Sequence, residues 1–185
     1  MKNTFYRPET VNIKEYENIL QNMRSDLSEL LSGNVSHKEV IEYVRKIIED
    51  GKPLERDPNM VFWGLGKPEE MPSDARVDFF YNPTYIAVSI LINIMQTHPD
   101  LAMKVEGFEE KLKKGLFAAT GRSFFGHGFN DMDGLIDCMN IFAKADVFRF
   151  MKEYPDFCPE FTRKLTEAAA FLESKQEEGK LRGDW

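Results

Sequence analysis

Cysteine is scarce in this chain and positive charge is outnumbered by negative, and each of these removes a class of function. Two cysteines among 185 residues, Cys138 and Cys158, match no metal-ligand spacing and build no disulfide framework. Each sits in an apolar setting where a thiol behaves as a small hydrophobe. Lys and Arg number 24 against 31 Asp and Glu, a net charge of −7. Scattered bases in an acidic chain give no patch to offset phosphate repulsion, so nucleic acid is set aside as a partner. A bilayer takes about 20 consecutive apolar residues, whereas the longest run here, Tyr85 to Met95, is broken by Ser89 and Asn93. The opening MKNTFYRPETVN lacks the apolar core of a signal peptide. No membrane partner is expected, and a reducing cytoplasm is the expected location. No P-loop, dinucleotide fingerprint or nucleophile elbow appears, so no cofactor is implied and enzymatic activity is left open.

What is present is an ordinary globular composition, 42% hydrophobic and 30% charged over 185 residues, which fits one domain with one core. That domain spans 1–185, with an irregular lead-in at 1–12 and a polar, frayed tail at 175–185. Asn12 and Glu15 have capping-box spacing, and Ile13, Tyr16, Leu20, Met23, Leu27, Leu30 and Leu31 follow at helical steps up to Gly33, which closes the helix in the left-handed conformation. Ser36 and Glu39 repeat the capping signal ahead of Val40, Ile41, Val44, Ile47 and Ile48, ending at Gly51. His37 falls in the first turn beside that cap, where an exposed structural role is favoured over a functional one. The short link between these helices predicts an antiparallel hairpin.

Four prolines and two glycines between Lys52 and Tyr81 predict a long irregular loop at about 52–81, packed across the helices through Val61, Phe62 and Trp63 and containing at most a short strand or a turn of helix. Asn82-Pro83 then caps a third helix running to Gln96. Its alternating Ile86, Val88, Ile90, Ile92 and Ile94 also suit a buried strand, but length and the cap favour helix, and apolar residues on nearly every side make it the most buried one. A fourth helix covers about Gly107 to Thr120. Asn130, Asp131 and Asp133 cap a fifth whose inner face carries Leu135, Cys138, Met139 and Phe142, with Asp146 capping a short continuation to Tyr154. Phe161, Leu165, Ala168 and Leu172 mark the last.

His98-Pro99-Asp100-Leu101, followed by Phe108, Lys111 and Leu112, has an echo in Tyr154-Pro155-Asp156-Phe157, followed by Phe161, Lys164 and Leu165. The expected fold is therefore all-α: about six main helices as three αα-hairpins, in a compact orthogonal bundle or an open αα-superhelical arc. The two-helix repeat, covering about half the chain, resembles the hairpins of αα-toroid proteins, a class that contains glycosidases, polysaccharide lyases and terpenoid cyclases. Three hairpins are too few to close such a ring, and the aspartate-rich cyclase signatures are absent. An open arc that exposes apolar inner faces is expected to form a homodimer.

The segment from Gly121 to Gly134, GRSFFGHGFNDMDG, places His127 between two glycines with acids close behind. In a hairpin repeat, loops ahead of alternate helices share one end, which would set RVDFFYNPT beside GHGFNDMD. The candidate ligand-binding residues are thus Arg76, Asp78, Tyr81, His127, Asn130, Asp131 and Asp133, with Trp63 as a wall. Each also has a structural explanation: helix capping for the aspartates, turn geometry for the glycines, a local hydrogen bond for His127, and mutual pairing for Arg76 and Asp78. Asp78 opposite Asp131 or Asp133 would suit glycoside hydrolysis, which needs two carboxylates at a set separation. The spacing of His127, Asp131 and Asp133 matches no established zinc or calcium loop, so no metal is assigned. Two functions follow: a helical protein with a pocket for a small polar ligand such as a sugar, between the 52–81 loop and GHGFNDMD, or a non-catalytic module for homodimerisation or docking through its helices.

Overall fold

The ambiguous apolar run folds as a helix, and the other elements gather round it. In the computed structural model, which describes residues 13–64, 66, 82–119 and 132–177, the order is α1 (Ile13–Ser32), α2 (His37–Asp50), β1 (Lys52–Leu54), β2 (Asp57–Phe62), α3 (Asn82–Thr97), α4 (Pro99–Ala102), α5 (Phe108–Ala119), α6 (Met132–Lys144), α7 (Val147–Glu153) and α8 (Pro159–Glu177). The all-α class holds, with one small two-stranded sheet. Every residue of α3 from Pro83 to Met95 is buried. α1, α2, α4, α5, α6 and α7 all pack on it, so no face is left for solvent. Burying each Ile, Leu or Val here contributes about 1.5–3 kcal/mol. The helix nevertheless carries polar groups inward: the Ser89 hydroxyl is fully buried with no hydrogen-bond partner among the described residues.

The cap signals at Gly33 and Ser36 act as their chemistry dictates. Gly33 takes φ 74° and donates its N–H to the Leu30 carbonyl at 3.1 Å, ending α1. Ser36 and Glu39 form the reciprocal box, with the Ser36 N–H donating to Glu39 Oε2 at 2.8 Å and the Glu39 N–H donating to Ser36 Oγ at 3.3 Å. The Ser36 hydroxyl also donates to Glu39 Oε2, and this bond first, then the one from the Ser36 N–H, hold the Glu39 carboxyl below its usual range. α1 packs chiefly on α3, through a face that includes Tyr16, Leu27 and Leu30, and α2 meets α3, α4 and α5. Leu31, expected on the inner stripe, is 39% exposed because it falls at the end of the helix, beyond the face that meets α3.

Residues 52–62 depart from the irregular loop expected there. They form an antiparallel hairpin, with Lys52 opposite Phe62, Pro53 opposite Val61 and Leu54 opposite Asp57, and a register irregularity after Pro53. Proline is tolerated because both strands of a two-stranded sheet are edges. Met60, Val61 and Phe62 are consecutive and all buried, since β2 packs against α5. The rest of the expected loop, apart from 63, 64 and 66, lies outside the described residues, as do 1–12.

At the end of β2, Trp63 enters the core at 2% exposure. Its backbone N–H donates to Thr84 Oγ1 at 3.0 Å, and its indole Nε1–H donates to the Ile47 carbonyl at 2.7 Å, near the C-terminus of α2. The same carbonyl accepts the Gly51 N–H at 3.2 Å. Lys111 of α5 donates to the Gly51 carbonyl at 3.0 Å. Burial first, then the neighbouring Lys114, hold the Lys111 ammonium below its usual range. Glycine at 51 and 115 is required by space: a Cβ at Gly51 would stand 2.8 Å from Trp63 Cζ2, and one at Gly115 would stand 2.9 Å from Trp63 Cζ3 and 3.0 Å from Val88 Cγ2.

Apart from the added single turn of α4, the second half follows the expected helices, with differences at Asp146 and in α8. Asp146 separates α6 from α7 by taking the left-handed conformation, φ 55°, and makes no side-chain cap. Aspartate is among the few residues that tolerate that region. α8 runs on to Glu177, past the expected start of the frayed tail, with Lys175 Nζ 5.4 Å from the Phe171 ring centroid; residues 178–185 lie outside the description. Phe142 links Tyr85 and Phe161 edge-to-face at 5.6 and 5.7 Å, joining α6 to α3 and α8.

Two substitutions test this packing in opposite directions. Gly115→Ala should destabilise by about 1–3 kcal/mol, the usual cost of overpacking, seen as a lower denaturation midpoint. Ser89→Ala should be neutral or stabilising by about 1 kcal/mol, because it removes a buried hydroxyl with no bond to lose. Urea melts of both variants check the pair.

Candidate functional site

Of the eight residues singled out in the sequence, Arg76, Asp78, Tyr81, His127, Asn130 and Asp131 lie outside the described residues, and Asp133 falls in the first turn of α6 with its side chain outside the description. Trp63 is the one whose surroundings are defined. It lines a cleft on its α1–α2 side.

That cleft, about 240 Å³ in volume, opens where Trp63 and Gly64 leave the hairpin beside the outer faces of α1 and α2. Ile47, Trp63 and Ile90 form its buried apolar floor. Polar groups form the walls. On α1, Asn22 and Asp26 are one turn apart and so share a face; on α2, Tyr43, Lys46 and Asp50 recur at three- and four-residue steps. Lys52 closes the rim, its Nζ donating to the Gly66 carbonyl at 3.0 Å.

The electrostatics of this cleft are uneven. Burial pushes the Asp26 carboxyl above its ordinary value; Lys46 opposes that shift, and Glu29 adds to it. Asp26 has no hydrogen-bond partner among the described residues. The Tyr43 hydroxyl donates to Glu29 Oε2 at 2.8 Å, tying α2 to α1, and this bond is the main reason its pKa is pushed up to about 12. Chemically the cleft offers an apolar floor, two acids, two bases and an amide, which suits binding and orienting a small polar molecule.

Sequence reasoning missed Asp26, Tyr43, Lys46, Asp50 and Lys52, because on amphipathic helices they belong to the polar face that ordinarily meets solvent. The available signal was the continuation of each apolar stripe by a charged residue one turn along: Met23 to Asp26, and Ile47 to Asp50. No group of three or more His, Cys, Asp or Glu that could hold a metal ion occurs among the described residues. No described helix is long and apolar enough to cross a membrane. Comparison with family models, curated proteins and solved structures finds no match for this chain.

Asp26 makes a pH prediction whose sign is fixed. A carboxyl with a raised native pKa binds more protons folded than unfolded, so stability falls as pH rises from the ordinary aspartate value of about 3.9 through the higher native one. Asp26→Asn should therefore match wild type in melting temperature near pH 3.5 and exceed it at pH 7. A difference that is independent of pH would contradict the burial effect. For Tyr43, stability should fall between about pH 10 and 12, as the unfolded phenol ionises before the folded one; ultraviolet titration of Tyr43→Phe against wild type isolates that step.

Proposed function

We propose that this chain binds a small polar ligand, with the cleft beside Trp63 as its site. The observation that carries the reading is a half-buried carboxylate, Asp26, beside Lys46 over an apolar floor in a preformed cleft of about 240 Å³. Surface charges placed only for solubility have no need of such burial, which disfavours the ionised form. A sugar or a small amphoteric molecule of about ten heavy atoms suits that volume and lining. Residues 126–131 of the GHGFNDMD segment and those from Arg76 to Tyr81, singled out in the sequence for the same class of ligand, lie outside the described residues and are not needed for this proposal.

A second reading, homodimerisation or docking through the helices, has one observation in its favour. Met103 is 59% exposed on an open groove, about 540 Å³ in volume, that also includes Val105 and Phe108. The three-hairpin repeat belongs with these proposals. Its support is that His98 (φ −138°, ψ 54°) and Tyr154 (φ −129°, ψ 59°) adopt the same backbone ahead of Pro99 and Pro155, although proline restrains its predecessor in any context.

A thermal-shift screen of sugars, amino acids and small organic acids separates the two readings. A ligand specific for the native state at 100 times its dissociation constant stabilises by about 2.7 kcal/mol. Protection of wild type that is lost in Lys46→Ala and Asp50→Ala, both at exposed positions, is the expected result. No protection by any compound, together with a dimer that Met103→Asp dissociates in light scattering, would replace the first reading with the second.

A further inference from the structure

Away from the cleft, two of the three histidines of this chain meet at the opposite end of α2. His37 is the first residue of α2, and His98 is the corner between α3 and α4; their ring centroids are 5.8 Å apart with an interplanar angle of 83°. They are 61 residues apart in sequence, so only the packing of α2 on α4 brings them together. His37 is exposed and His98 half-buried, so solvent reaches the pair.

The tautomer of His98 follows from its neighbours. Thr97 Oγ1 lies 2.7 Å from the Asn93 carbonyl and 2.8 Å from His98 Nδ1. A hydroxyl has one proton, and a carbonyl can only accept, so Thr97 donates to Asn93 and accepts from His98 Nδ1–H. In the neutral ring, Nε2 is then the nitrogen with the free lone pair. Metal-binding histidines are oriented in this way, with the second ring nitrogen donating to a fixed acceptor.

We infer that His37 and His98 form a two-histidine site for a borderline divalent transition ion of the Zn²⁺ and Ni²⁺ class, with water filling the remaining positions. The separation fits. A Zn–N bond of about 2.0–2.1 Å sets each imidazole centroid about 3.2 Å from the ion, so rings 5.8 Å apart subtend roughly 130° at the metal. An approach of about 0.6 Å reaches the tetrahedral angle; because the rings meet edge to face, ligation also requires the exposed His37 ring to turn about its χ2 until a nitrogen faces the ion. Imidazole selects Zn²⁺, Ni²⁺ or Cu²⁺ over the hard ions Ca²⁺ and Mg²⁺, which take oxygen ligands. The α2 N-terminus disfavours positive charge, so the ligand bonds supply the affinity rather than the local field. The nearest cation in sequence, Lys38, is paired with Glu42 at 3.8 Å. Bound metal would clamp the start of α2 to the α3–α4 corner.

Isothermal titration of the 185-residue chain with NiCl₂ and ZnCl₂ at pH 7.5 tests the site, with histidine ring NMR as a second readout. His37→Ala and His98→Ala should each weaken binding at least tenfold. Thr97→Val, which removes the acceptor of the His98 proton but keeps the side-chain shape, should cost about 10–100-fold. Absence of a shift in the His37 and His98 ring signals at millimolar metal, or binding that survives both single substitutions, would overturn the inference. Wild-type affinity in Thr97→Val would overturn the positioning role of the threonine.

Discussion

The described core depends on one side chain held in a slot that leaves no room for a Cβ on the two glycines beside it. Trp63 lies between Gly51 at the end of α2 and Gly115 within α5, where a methyl group on either glycine would meet the indole at under 3.0 Å. Its indole N–H is committed to the Ile47 carbonyl and its backbone N–H to Thr84. A single residue thus joins the end of α2, the hairpin, the start of α3 and the middle of α5. An indole contributes so much because it combines a large apolar area with one donor, and a buried donor is costly if unmet. The carbonyls at the end of α2 gain matching partners in this way, from Trp63, the Gly51 N–H and Lys111.

The cleft is a consequence of the same contact. Because Trp63 turns inward, the chain at Gly64 stands beside the polar faces of α1 and α2, and the buried ring supplies the floor. Asp26 is then partly desolvated close to Lys46, and Tyr43 bridges to Glu29. Stability and the proposed binding function therefore share one origin, and the exposed rim residues Lys46 and Asp50 can be altered without touching the slot. The His37–His98 pair belongs to the other end of α2 and is independent of the cleft.

How much of this was legible in the sequence varied with the range of the interaction concerned. Ser36 with Glu39, and Gly33 after Leu31, act within four residues, and both worked as their local chemistry requires. α3 was legible as the most buried helix from composition, even though its alternating isoleucines also suited a strand. The hairpin at 52–62 was obscured by Pro53 and Pro58, because a proline argues against a strand unless that strand is an edge, and edge status is a tertiary fact. Gly51 was legible as a helix end, but its need for space came from Trp63, and Gly115 gave no signal inside an ordinary helical pattern. The cleft was illegible for the same reason: its acids and bases come from two helices whose relative placement no local spacing encodes. Of the residues singled out for function, only Trp63 falls where its surroundings are described, and its largest role is in packing.

Hydrogen exchange of the Trp63 indole N–H tests the central claim most directly. The chain has two tryptophans, Trp63 and Trp185, so two indole signals are expected in an amide correlation spectrum, and Trp185→Phe assigns them. If Trp63 locks α2, α3 and α5 together, its indole proton should exchange only with global unfolding, as slowly as the most protected amides of α3. Exchange at the rate of an exposed indole, with the α3 amides still protected, would show that the core holds without the slot and would contradict the account.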